Sequence, residues 1–221
     1  MKQNADNYLA LGFGKDYAWL DLANSLEWNG FGKLTDRLQD PAWAKHIVKH
    51  WNLALAPPPS RPAPLAQLIG LRTLLRRMAE KLIAGEALDE RDLNALNLYL
   101  NVPVRVKLFQ RQNGVHSELV PLRPGWPWIL SRIAASFAEM LALNRPDRLK
   151  YCPNEGCKWI FYDRTKANTR RWCSDRTCGN RDRVRRARAK KKPSAGGCKT
   201  KRRTPAAVAN QKEQAAEELV Q

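Results

Sequence analysis

Histidine is scarce in this 221-residue chain: only His46, His50 and His116. His46 and His50 stand four apart, but no glutamate lies between them as metalloprotease chemistry requires, and no third ligand is near. His116 has no catalytic partner in view. Neither a glycine-rich phosphate loop nor a Ser/His/Asp set is present. These absences argue against an enzyme. Long apolar runs are missing too: no stretch approaches the roughly eighteen residues of a membrane span. The first twenty residues lack the basic start, apolar run and cleavage site of a signal peptide. With thiols arranged for metal, this predicts a cytoplasmic, reducing setting and no membrane partner.

Acidic residues are few beside basic ones, 21 against 39, for a net charge of +18. Twenty of the 39 Lys/Arg but only four of the 21 Asp/Glu lie between Arg148 and Arg203. That segment carries +16 and the remainder +2. A nearly neutral body with a strongly cationic end points to a polyanion partner.

Four of the five cysteines cluster as Cys152-x4-Cys157, fifteen residues, then Cys173-x4-Cys178. Two short-spaced thiol pairs separated by a hairpin-length insert are what tetrahedral zinc needs. Pro153, Asn154 and Gly156 let the chain turn tightly around a metal. Two disulfides would suit an exported chain, which nothing at the N-terminus supports, and the Cys-x-x-Cys of a redox pair is absent. Four thiolates close the coordination sphere, so the expected Zn2+ is single and structural. Cys198 is not counted as a ligand. About forty residues bury little apolar surface, so metal binding is expected to be coupled to folding.

Cys178-Gly179-Asn180-Arg181 spells the motif of the CGNR zinc fingers, which the stretch resembles from Tyr151 to Arg188. Trp159–Asp163, Arg170-Arg171-Trp172-Cys173-Ser174 and the basic run after Arg181 match as well. Trp19–Ser25 resembles the opening of the ABATE domain that precedes the finger in that family. The resemblance implies a bacterial transcription regulator, with metal ligands at Cys152, Cys157, Cys173 and Cys178. It also implies an N-terminal domain that forms a homodimer or senses a ligand.

Residues 17–28 show Trp19, Leu22, Ala23 and Leu26 at helical spacing. A second helix is expected after Pro41, with Asp40 as cap. The proline-rich stretch 56–64 reads as an extended spacer. Leu68, Leu71, Leu75, Met78 and Leu82 mark a helix over 65–84, and Arg72, Arg76, Arg77 and Lys81 on its other face read as a solvated row. A helix over 90–100 starts at Asp89, and 104–109 and 115–120 flank Asn113-Gly114 as a hairpin. A last helix runs from Trp126 to about Leu143. The fold class is therefore α+β: a mainly helical domain with one small β-hairpin, over 1–145. A small treble-clef-like four-cysteine zinc finger with a basic helix follows at 148–192, and 193–221 reads as a disordered basic tail.

In the finger, Trp159–Asp163 has strand composition and Lys166–Thr169 reads as a turn leading back through Arg170-Arg171-Trp172. Trp159, Phe161 and Trp172 are expected to form a miniature core. A helix from about Ser174 to Lys192 would align Arg181, Arg185, Arg188 and Lys192 beside Arg183, Arg186 and Lys190, leaving only Val184 and Ala187 to face the finger. With Arg170 and Arg171, these cations are the candidate nucleic-acid contacts, since dense like charge is relieved by phosphate. DNA is favoured, because a helix fits the major groove. An RNA-binding or ribosome-associated module, or an adaptor for an acidic protein, is the alternative.

Overall fold

The computed structural model describes residues 17–28, 33–53 and 64–191. The spacer expected before Pro64, Lys192 and the 193–221 segment with Cys198 lie outside the described residues. Up to Asp182 the chain forms one compact unit, and Arg183 onward belongs to a second. The architecture is α+β and mostly helical, and no described helix is long and apolar enough to cross a membrane.

Helix α1 (Ala18–Ala23) buries Trp19, Leu22 and Ala23, but it stops well short of residue 28. The reason is Asn24. Its Nδ2 donates to the Ile160 carbonyl at 2.8 Å, and its Oδ1 accepts from the Ile160 N–H at 2.9 Å. A buried amide that pairs with both groups of a distant strand outweighs another helical turn. Ser25 Oγ donates to the Leu22 carbonyl, and the chain leaves as β1 (Leu26–Trp28), antiparallel to β2 (Leu34–Asp36). Asn24→Ala strands two buried backbone groups of Ile160. It is expected to lower unfolding free energy by about 2–3 kcal/mol, read from denaturant midpoints.

Helix α2 (Pro41–His50) starts as its sequence predicts, with Asp40 Oδ1 accepting from Ala42 N at 2.8 Å. His46 and His50 stack at 5.7 Å on its exposed side. Among the described residues they belong to no cluster of three ligating side chains.

In α3 (Leu65–Ile83), Leu68, Leu71, Leu75 and Met78 are buried. The cation row is paired rather than simply solvated, although Arg77 itself is exposed. Arg72 is only 6% exposed, and its guanidinium grips both carboxylate oxygens of Asp36 at 2.6 and 2.9 Å while reaching Ser25 Oγ. Arg76 donates to the Ala23 carbonyl. Arg77 and Lys81 converge on Asp92 at 2.8 and 2.6 Å. Asp92 is buried at the start of α4 (Glu90–Leu100), where it completes a reciprocal cap with Asp89. Periodicity along one helix cannot reveal the acceptors that neighbouring segments bring, and here those acceptors recruit the row.

Strands β3 (Val104–Arg111) and β4 (Gly114–Pro121) form the expected hairpin, turning on Gln112-Asn113. Helix α5 (Trp126–Ala142) sends Ile129, Ile133, Phe137 and Met140 into the core. Trp19 meets Phe137 edge-on at 4.8 Å, and Ser136 Oγ accepts the Trp19 N–H. Two further strands, β5 (Leu149–Tyr151) and β6 (Ile160–Tyr162), pair antiparallel. Among the described residues there are three two-stranded sheets, where the sequence suggested one hairpin in the body and one in the finger. Strand β6 does not fold back on Arg170-Arg171-Trp172; its partner precedes the first cysteine. Alternation explains the choice. Ile160 and Tyr162 join Leu149 in the main core, while Phe161 points to the cysteines.

Candidate metal centre

Two turns deliver the thiols. In the first, Cys152 N donates to the Trp159 carbonyl and Cys157 N to the Asn154 carbonyl, each at 2.8 Å. Lys158 takes a positive φ of 53° to leave the turn toward β6. In the second, Cys173 precedes a wide helical turn, Asp175–Gly179, closed by Gly179 N to the Ser174 carbonyl at 3.0 Å. Helix α6 (Asn180–Lys191) follows directly.

The four Sγ atoms all lie within 4.8 Å of one another. Cys157 and Cys173 stand 3.6 Å apart, and Cys173 and Cys178 stand 3.7 Å apart. Zinc–sulfur bonds of about 2.3 Å define a tetrahedron with edges of about 3.8 Å, so these separations match the edges of that figure. Four thiols this close also oppose one another's ionisation. Hydrogen bonding with Cys152 pushes Cys157 up to about 12 and raises Cys173 as well, while Cys152 is lowered as their acceptor. Four thiolates coexist only around a cation. The cluster fits one structural zinc, and it leaves no open position for a reacting water.

Phe161 is buried beside the cysteines, with Trp159 and Trp172 packed partly against them, which is the miniature core the composition predicts. Gly179 is needed for space: a Cβ there would come within 3.0 Å of Asp175 Oδ1 and 3.2 Å of the Trp172 ring. Asn154 Nδ2 reaches Cys178 Sγ at 3.5 Å, while its Oδ1 accepts from Gly156 N. Such a donor tempers thiolate charge.

Arg170 and Arg171, adjacent in sequence, are placed differently. Arg170 lies over the Phe161 ring at 4.8 Å and donates to the Trp172 carbonyl at 2.9 Å and to the Cys173 carbonyl, bracing the second turn. Arg171 is exposed, 5.7 Å from the Trp172 ring. In α6, Arg183, Arg185, Arg186, Arg188 and Lys190 are all exposed. Arg181 is half-buried and Asp182 buried. Val184, at 40% exposure, and Ala187 are exposed too. A helix with cations all round has no side to hide.

Sequence reasoning missed the polar centre that supports the finger. Asp163 is fully buried. It accepts from Lys150 Nζ at 2.8 Å, Thr165 Oγ1 at 2.6 Å, Thr165 N at 2.9 Å and Arg170 N at 2.7 Å. Arg148 closes the loop through the Asp163 and Thr165 carbonyls. The one local signal was Asp-x-Thr after an apolar strand, a turn-forming arrangement. Its partner Lys150 lies across the sheet.

Residues 148–191 match the CGNR zinc finger. Residues 16–143 match ABATE, described as "Putative stress-induced transcription regulator". A comparison with curated proteins finds no match. The second match spans more than half of the chain, neither description is that of an enzyme, and the cysteine cluster is the finger's expected metal set: the chain belongs to the ABATE family, with a CGNR zinc finger following its ABATE domain.

Proposed function

We propose that the chain is a zinc-dependent nucleic-acid-binding protein, a transcription regulator that holds DNA through α6. In this reading Cys152, Cys157, Cys173 and Cys178 hold the zinc, and 1–145, 148–192 and 193–221 act as body, finger and basic tail. Arg181, Arg183, Arg185, Arg186, Arg188, Lys190 and Lys192, with Arg171, meet phosphates or guanine edges. Arg170 braces the loop beside them. The observation that carries the reading is the run 183–190, where five of eight side chains are cationic and every one is exposed. Such a helix gains little from apolar burial and much from counterion release on phosphate. The family description, "Putative stress-induced transcription regulator", favours DNA over RNA.

Replacing Arg185 and Arg188 together with alanine is expected to leave zinc content unchanged. It should flatten the dependence of log affinity on log salt by about 2, at about 0.9 per lost phosphate contact on duplex DNA. Fluorescence anisotropy with a duplex across a salt series measures this. An unchanged slope would remove α6 from the interface, and stronger retention of structured RNA than of duplex in competition would move the function to RNA.

A further inference from the structure

The β3–β4 hairpin separates its chemistry by face. Register sets Val104 with Pro121, Val106 with Leu119, Leu108 with Ser117 and Gln110 with Val115 on one side, with no charge among them. Arg105, Lys107, Arg111, His116 and Glu118 all fall on the other. Val106, Leu108 and Val115 are each more than 60% exposed. A two-stranded ribbon is marginal in water, whereas more strands stabilise it. No third strand joins this one among the described residues.

Its two edges are unlike. Strand β3 carries Arg105, Lys107 and Arg111, and cations on an edge resist addition of another strand. Strand β4 carries only His116 and Glu118. The two-residue turn makes Arg111 and Gly114 a hydrogen-bonded pair. Ladder alternation therefore turns the N–H and C=O of Val115, Ser117 and Leu119 away from β3.

We propose that β4 is a dimerisation edge, pairing antiparallel with β4 of a second copy about a two-fold axis at Ser117. Val115 then faces Leu119 of the second copy on the uncharged side, and His116 faces Glu118 of the second copy on the other. Shifting the axis by one residue sets His116 against itself or Glu118 against itself. The Ser117 register alone is complementary on both faces. A two-fold interface demands such self-complementarity, and this selects a second copy over an unrelated strand. Outside Arg148–Arg203 the chain is almost neutral, so repulsion between bodies is small. The proposal names the surface for an N-terminal homodimer and does not depend on the nucleic-acid reading.

Sedimentation of the full-length, zinc-loaded protein without nucleic acid is expected to give a dimer. Ser117→Pro removes an outward N–H and spares the hairpin's own ladder. It is expected to raise the dimer dissociation constant about thirty-fold. Ser117→Lys, at an exposed position, should weaken it comparably by repulsion. With Cys198→Ser, Ser117→Cys should cross-link under mild oxidant, since facing residues of a hydrogen-bonded pair have Cα atoms about 5.5 Å apart. Arg105→Cys should not. A monomer at every concentration, or a dimer that neither Ser117→Pro nor Ser117→Lys weakens, overturns the proposal.

Discussion

Cys157→Ser is expected to abolish stoichiometric zinc and to destabilise residues far outside the finger. Structural zinc sites contribute about 10–16 kcal/mol of apparent binding free energy at neutral pH, and a serine hydroxyl is a poor replacement for a thiolate. Loss of the site would release both cysteine turns. The consequence reaches further because β6 belongs to two cores at once. Phe161 packs beside the cysteines, whereas Ile160 and Tyr162 pack in the main core with Trp19 and Phe137. Tyr17 meets the Tyr162 ring edge-on at 5.5 Å, and Asn24 is pinned to Ile160. Unfolding the finger would expose α1 as well. Elemental analysis should find less than about a tenth of the wild-type metal, and amide exchange should accelerate over Ala18–Ala23 as well as over 148–182. Protection of α1 that survives chelation would show that the two cores fold independently.

Asp163→Ala is expected to cost about 3–5 kcal/mol, the range for removing one partner of a buried ion pair. Lys150 would keep only the Asn168 and Arg170 carbonyls for its charge, and the amides of Thr165 and Arg170 would lose their acceptor. The acid response carries a definite sign. Burial alone would raise the Asp163 carboxyl, but bonds from Lys150, Thr165 and the Arg170 amide outweigh it and hold the group well below the usual carboxylate range. Its stabilisation is therefore complete above the unfolded value near about 4 and is lost as pH falls through the lower folded value. Asp163→Asn should give a shallower loss of stability over that acid range than wild type, read from urea midpoints with zinc content followed in parallel. Parallel acid limbs for the two proteins would mean that the carboxylate charge does not matter.

The metal centre was legible early because its chemistry is local. Thiolate pairs at short spacing must turn around one ion, and Gly179 is explained by Asp175 and Trp172, both within seven residues of it. The ends of α2, α3 and α4 were equally readable, since Asp40, Gly85 and the Asp89/Asp92 cap act within a few residues of themselves. Long-range pairing was not. Asn24 ends α1 for the sake of Ile160, 136 residues away, and no periodicity encodes that. Arg72 became a buried ion-pair residue only because β2 brings Asp36 beside it. Strand β6 took β5 as partner because its alternating side chains serve two cores. Spacing and composition thus determined the ligand set, the helix starts and the placement of charge, all of which are written in short stretches of the chain. Tertiary structure decided which polar groups are buried and what they hold, because a buried donor or acceptor must find a partner wherever the fold brings one.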